Sequence, residues 1–237
     1  MYKKIISIVF AIFVMILNTI PASAVSNDSY SSEYTEYLGY VNQGILGEDI
    51  SFEYWKHLKE LSCELEKSLE NSSVFQVVYD STSANSTYST YSMMPGDIFI
   101  TNGTSSAGLT GHAAIAISKY SLLHIAGFGE SVTTINLDNW HNRYTSEGWT
   151  KVYRNPNSSV AENAAQWAVD TYFNSSAVYM LTQDVSSTYY TYCSKIVWQS
   201  YYYGNSPSAA SYLASGYILP YSLPGLINDV SLINTFE

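Results

Sequence analysis

Between residues 48 and 70, Phe52, Trp55, Leu58, Leu61, Leu65 and Leu69 recur at three- and four-residue steps with Glu and Lys between them. That spacing predicts an amphipathic helix whose apolar stripe needs a partner. The helix is either a packing layer on the rest of the chain or a pro-segment over a cleft. Residues 25–42 are polar and lack periodicity, which predicts a flexible leader. A short strand is predicted at 74–79, and the Ser/Thr/Tyr-rich stretch 81–92 reads as a linker. After Met93 the pattern changes. Pro95-Gly96-Asp97 signals a turn, and 98–101 follows as a strand. The apolar runs 113–118 and 122–126 are joined by Lys119-Tyr120-Ser121, a hairpin-length connection. Further strands are predicted at 131–137 and 150–153, separated by a polar loop containing Trp140 and Trp149. Ser159 and Glu162 have capping-box spacing and predict a helix over 160–172. From Cys193, the residues Ile196, Val197 and Tyr201 make one helical face that ends at Gly204. The tail beyond 206 is broken by Pro and Gly and predicts only short elements.

The first 24 residues have a different pattern. Lys3 and Lys4 precede an almost wholly apolar run, 5–20, which closes on Pro21 and Ala22-Ser23-Ala24. A basic start, a short apolar core and a small-x-small end predict a secretory signal peptide, 1–24, cleaved after Ala24. The run is short for a bilayer span, which takes about 20 apolar residues. A retained anchor is the competing reading. Cleavage predicts a secreted protein, extracellular or associated with the cell wall, with no stable membrane anchor. The expected organisation is a signal peptide at 1–24, an N-terminal extension at 25–92 and a catalytic domain at 93–237.

Loss of Lys3 and Lys4 moves the formal charge from −10 to −12. So few cations argue against a nucleic-acid partner, because such binding relies on Lys and Arg neutralising phosphates. Two cysteines, Cys63 and Cys193, are too few for a disulfide-stapled scaffold. In an oxidising compartment they can form one bridge. A non-catalytic secreted binding domain with a Cys63–Cys193 disulfide is therefore an alternative to an enzyme.

Cys193 is the first chemical candidate. At a helix start its thiol meets free backbone N–H groups and the positive end of the helix dipole, which lower a thiol pKa. The same groups can stabilise an acyl oxyanion. His112 follows the flexible stretch 108–111 and opens the run 113–118. A partly exposed histidine on a rigid strand entrance suits a general base. His124 lies on the returning strand, about 5 Å away in a hairpin. It can hydrogen-bond the His112 ring and fix its tautomer. Glu130 and Asp138 are less well placed substitutes, and His141 reads as solvated. Two histidines and a cysteine can hold zinc. Neither H-E-x-x-H nor paired cysteines is present, and no nucleotide-loop motif occurs, so no metal or other cofactor is expected.

The segments PGDIFIT (95–101), GHAAIAIS (111–118), LLHIAG (122–127) and YCSKIVWQSYY (192–202) resemble the YiiX/YycO-like permuted branch of the NlpC-type cell-wall peptidase superfamily. The resemblance covers roughly 93–224. It implies an α+β, circularly permuted papain-like fold, with an antiparallel sheet or barrel packed against helices. It also implies Cys193 as nucleophile, His112 as base and His124 as the third residue, where many members carry Glu. Amide or ester cleavage and acyl transfer are the implied reactions. Secretion without a cofactor motif points to a cell-wall peptide amide as substrate. A lipid amide or ester is the alternative, with Tyr189, Tyr190, Tyr192, Trp198 and 201–203 lining an acyl groove.

Overall fold

The computed structural model describes residues 30–71 and 91–237. The proposed signal peptide, the strand predicted at 74–79 and nearly all of the 81–92 linker lie outside the described residues. Residues Glu36–Glu237 form one compact unit, and the account below concerns that unit.

Helix α1, Tyr30–Asn42, occupies the stretch expected to be a flexible leader. The rings of Tyr37 and Tyr40 pack against Trp55. Tyr37 lies 5.8 Å from the Trp55 ring and donates to the Ile50 carbonyl at 2.8 Å. Helix α2, Phe52–Glu70, forms where the apolar stripe predicts it, with Ser51 accepting from the Tyr54 N–H as its N-cap. Buried Trp55, Leu58 and Ser62 meet the sheet, and the Trp55 indole N–H donates to the Ala107 carbonyl at 2.8 Å.

Six strands make one antiparallel sheet. They are β1 Ile98–Ser106, β2 Leu109–Ala116, β3 Leu122–Ile125, β4 Val132–Ile135, β5 Thr150–Arg154 and β8 Ser231–Phe236, in spatial order β4-β3-β2-β1-β5-β8. A two-stranded parallel pair, β6 Val178–Tyr179 and β7 Tyr190–Thr191, lies outside it. The architecture is α+β. Strands β1 and β2 extend well beyond the predicted runs, because 102–111 is a tight hairpin and not a flexible stretch. Ala107 and Gly108 both take positive φ, 50° and 73°, as a two-residue hairpin turn of the twisted kind demands. Asn102-Gly103, itself a turn signal, becomes an irregularity in the ladder between Thr101 and Ser105.

Both faces of the central strands are buried, which explains why runs such as Ala113–Ala116 are continuously apolar and do not alternate. One face, with Ile98, Ile100, Ala113, Ile115 and Leu123, packs against helix α5, Cys193–Tyr203. The other, with Phe99, Ala114, Ala116, Leu122 and Val152, is covered by Trp140 and Tyr144. These two covering residues were expected in a polar loop. They sit instead on the short helix α3, Leu137–Trp140, and the π-helical turn His141–Thr145 that continues it. Leu137, Trp140 and Tyr144 recur at helical spacing, a signal too short to stand out by periodicity alone.

Helix α4, Ser158–Tyr172, is capped by the Asn157 side chain, which accepts from the Ser159 and Val160 N–H groups. The predicted capping box thus lies inside the helix. Helix α5 is buried on every side from Cys193 to Tyr201, not along one face. Its polar residues are matched to loop carbonyls: Lys195 Nζ donates to Asp184 and, at 2.7 Å, to Tyr190, and Gln199 Nε2 donates to Val185 at 2.6 Å. Asp97 is wholly buried against Arg154, whose Nε and Nη2 donate to it at 2.6 and 2.7 Å. The Tyr91 hydroxyl and Met94 N–H complete that carboxylate's shell. No described helix is long and apolar enough to cross a membrane.

Candidate active site

β2 and β3 run antiparallel with Ile115 opposite Leu123 and Ala116 opposite Leu122. That register sets His112 and His124 diagonally across the pair, on the face that also carries Ala114, Ala116 and Leu122. Their rings meet there, with His112 Nε2 2.9 Å from His124 Nδ1. Gly111, at φ 96°, shapes the approach to His112. A Cβ there would lie 2.7 Å from the Tyr221 ring, so glycine answers both a backbone and a packing demand. Glu130 and Asp138, the weaker candidates for the third position, are both exposed. His141 is half-buried, 3.2 Å from the Thr145 hydroxyl and against Phe236.

Cys193 opens α5, which packs on the face of β2 that carries Ala113 and Ile115, and its sulfur comes close to the backbone amide of Ala113, the residue after His112. The backbone amides of Ala113, Cys193 and Ser194 lie around its sulfur and favour its ionised form. The thiol thus approaches the strand position next to His112, although 81 positions separate the two residues in the chain.

The helical turn 137–145 roofs the histidines. Trp140 stacks on His112 at 5.5 Å, and the Tyr144 ring lies 4.8 Å from it. His112 was expected to be partly exposed at a strand mouth; under this roof it is 3% exposed. The roof is pinned from below, where the Thr101 hydroxyl donates to the Tyr144 carbonyl at 2.7 Å. Gly103 leaves room for that carbonyl, which an added Cβ would overlap.

Burial also decides the electrostatics. Desolvation, then the positive charges of a protonated His124 and of Arg143, hold His112 well below the usual imidazole range. Burial and Arg143 bring His124 down to about 4. Both rings are neutral at pH 7. Burial pushes the Cys193 thiol up, and the three backbone N–H groups around it only partly offset that. The thiol pKa expected to be lowered at a helix tip is thus raised. The amides are in place, but the sulfur is sealed among apolar groups that disfavour its ionised form. At rest the site holds a neutral thiol and neutral imidazoles. If Nε2–H of His112 is the donor to His124 Nδ1, the lone pair of His112 Nδ1 is left free to accept a proton.

Cys63 and Cys193 are both free, one exposed on α2 and the other buried, so no bridge joins them. Among the described residues no group of three or more His, Cys, Asp or Glu side chains converges as metal ligands. The aromatic acyl groove divides. Tyr192, Trp198 and Tyr201 belong to the core, whereas Tyr189 and Tyr190 are exposed just ahead of Cys193.

Fold and site together define an α+β protein with a buried thiol at a helix tip and, on the strand that the helix packs against, a buried histidine paired with a second. The chain belongs to the family described as lipoprotein N-acylation protein LnsA-like, whose model matches residues 65–233 and so spans all three candidate residues. A Bacillus thuringiensis protein described as an uncharacterized 30.3 kDa protein is 33% identical over 172 residues, covering 67% of this chain and 63% of that protein. The chain thus matches less than two thirds of that relative's length. The crystal structure of metalloprotein yiiX from Escherichia coli O157:H7 aligns at a TM-score of 0.44 and 13% identity, over 61% of this chain and 98% of that one.

Proposed function

We propose that this protein is a cysteine acyl-transfer enzyme in which Cys193 is the nucleophile, His112 the general base and His124 the residue that orients it. The observation that carries the reading is the junction of β2 with α5. There the amide next to His112 lies close to the thiol and favours its ionised form, and His112 is tied to His124 at 2.9 Å. The Cys193 proton passes to His112 as sulfur attacks an acyl carbon, so a neutral pair at rest suffices. Backbone N–H groups at the helix tip stabilise the oxyanion. The acyl group remains on sulfur as a thioester until an acceptor takes it.

The family description, lipoprotein N-acylation, favours an amine as acceptor and a lipid ester or amide as donor. Acyl transfer or hydrolysis of that kind therefore takes precedence over cell-wall peptide cleavage. We further propose that the two histidines preceding the cysteine in the chain reflect a permuted papain-like arrangement. The basic, apolar and small-residue pattern of 1–24 supports export, with the site working outside the cytoplasm.

Incubating the purified chain with an acyl ester and an amine-bearing peptide tests this reading. Intact-mass and peptide-mapping spectrometry are expected to find a thioester on Cys193 and acyl-peptide product, both lost in Cys193→Ala. Transfer persisting at the wild-type rate in Cys193→Ala would refute it.

A further inference from the structure

Tyr144 is 3% exposed, and among the described residues its hydroxyl has no hydrogen-bond partner. A buried hydroxyl without a partner is unfavourable and uncommon in native structures, and it calls for a reason. Packing does not supply one. The ring's contacts with His112 at 4.8 Å and Trp140 at 4.6 Å would serve a phenylalanine equally well. The backbone is fixed independently by Thr101 and by the space at Gly103. The ring is thus held 4.8 Å from that of the base, and its buried oxygen has nothing to bond. Burial pushes its pKa up to about 12, Arg143 opposes that, and a negative Cys193 adds to it. At neutral pH the group is a donor that stays protonated and lies within electrostatic range of the nucleophile.

We propose that the Tyr144 hydroxyl, carried on a ring packed against His112 and unpartnered in the free protein, is a catalytic hydrogen-bond donor to the acyl oxyanion formed at Cys193. The proposal rests on the acyl-transfer reading above and adds a donor to it. As the S–C bond forms, the thiol proton goes to His112 and the carbonyl π pair moves onto oxygen. Tyr144 donates to that oxygen without giving up its proton. The carbonyl then re-forms, the bond to the leaving group breaks, and His112 returns the proton to it. A donor satisfied only when the oxyanion exists favours the transition state over the ground state.

Tyr144→Phe deletes one oxygen and keeps the ring. With p-nitrophenyl acetate as acyl donor and the full chain as enzyme, kcat is expected to fall about 100-fold with KM within about twofold. The thermal midpoint is expected to hold or rise, since no bond is lost in the free protein. A second readout needs no turnover: hexanal, which adds to a thiol as a hemithioacetal, is expected to protect Cys193 from iodoacetamide about tenfold less well in Tyr144→Phe. An unchanged kcat, unchanged protection, or a midpoint several degrees lower, which would show the hydroxyl paired at rest, each overturns the inference. Should the wild type leave the ester intact, protection decides alone. Cys193→Ala is run beside it. Wild-type ester cleavage by that variant removes the underlying acyl-transfer reading, whereas an inactive Cys193→Ala with an unaltered Tyr144→Phe removes only the role of Tyr144.

Discussion

The unfolded chain takes up a proton on each histidine near pH 6.5, whereas folded His124 does so only near 4 and burial holds His112 well below the usual range. Each depressed imidazole therefore contributes stability that is complete above pH 6.5 and is lost as pH falls below it. For His124 the loss amounts to about 3 kcal/mol by pH 4. Chemical denaturation at intervals from pH 7 to 4 is expected to show this decline, and His124→Gln is expected to flatten it. The thiols provide a second check at this scale. Exposed Cys63 is expected to react with iodoacetamide well before Cys193, which burial keeps protonated to unusually high pH. Faster labelling of Cys193 at about pH 6 would contradict the account of the neutral site. Residue types and order along the chain singled out Cys193, His112 and His124. The sequence could not show that burial would reverse the helix-tip effect on the sulfur, because burial depends on a roof contributed by a distant segment.

At the scale of elements, strands with continuous apolar runs and the helix with a six-residue stripe were legible, while their boundaries and their covers were not. The β1–β2 hairpin was missed because its turn uses Ala107 at positive φ, a conformation that glycine or asparagine signals and alanine does not. The roof over the histidines was missed because four helical residues followed by a π-helical turn carry too little periodicity to read. That roof depends on β1 keeping glycine at 103. Gly103→Ala is expected to push the Tyr144 carbonyl off Thr101, lowering the thermal midpoint and acyl-transfer activity together. Asp97 tests a different joint, between β1 and β5. Removing a buried carboxylate that accepts from Arg154, Tyr91 and Met94 takes the acceptor from all three donors and is expected to lower the urea midpoint clearly. A urea midpoint for Asp97→Ala within error of the wild type would sink that assignment.

At the scale of the whole molecule, the N-terminal helix α2 raises the remaining question, since its stripe left open whether it packs or covers. The resemblance began near residue 93, and nothing in the local pattern says whether a preceding helix can be removed. The contacts favour integral packing. Trp55 is fully buried, its indole donates to the Ala107 turn, and Ser62 donates to the Thr110 carbonyl at 3.2 Å. Glu66 accepts from Asn102 and Thr110, tying the helix to both strands of the hairpin that leads into His112. A pro-segment leaves a folded enzyme behind when it goes, whereas a structural layer takes apolar cover away from β2 and opens the core. Cutting a fully buried tryptophan to alanine costs about 3–5 kcal/mol, a large part of the 5–15 kcal/mol that typically holds a domain together. Trp55→Ala is thus expected to lower the urea midpoint sharply, and a chain starting at Met93 is expected to be molten or insoluble and inactive. A folded, more active protein from that truncation would instead make α2 a removable cover, and the hairpin contacts would then belong to an inhibited state.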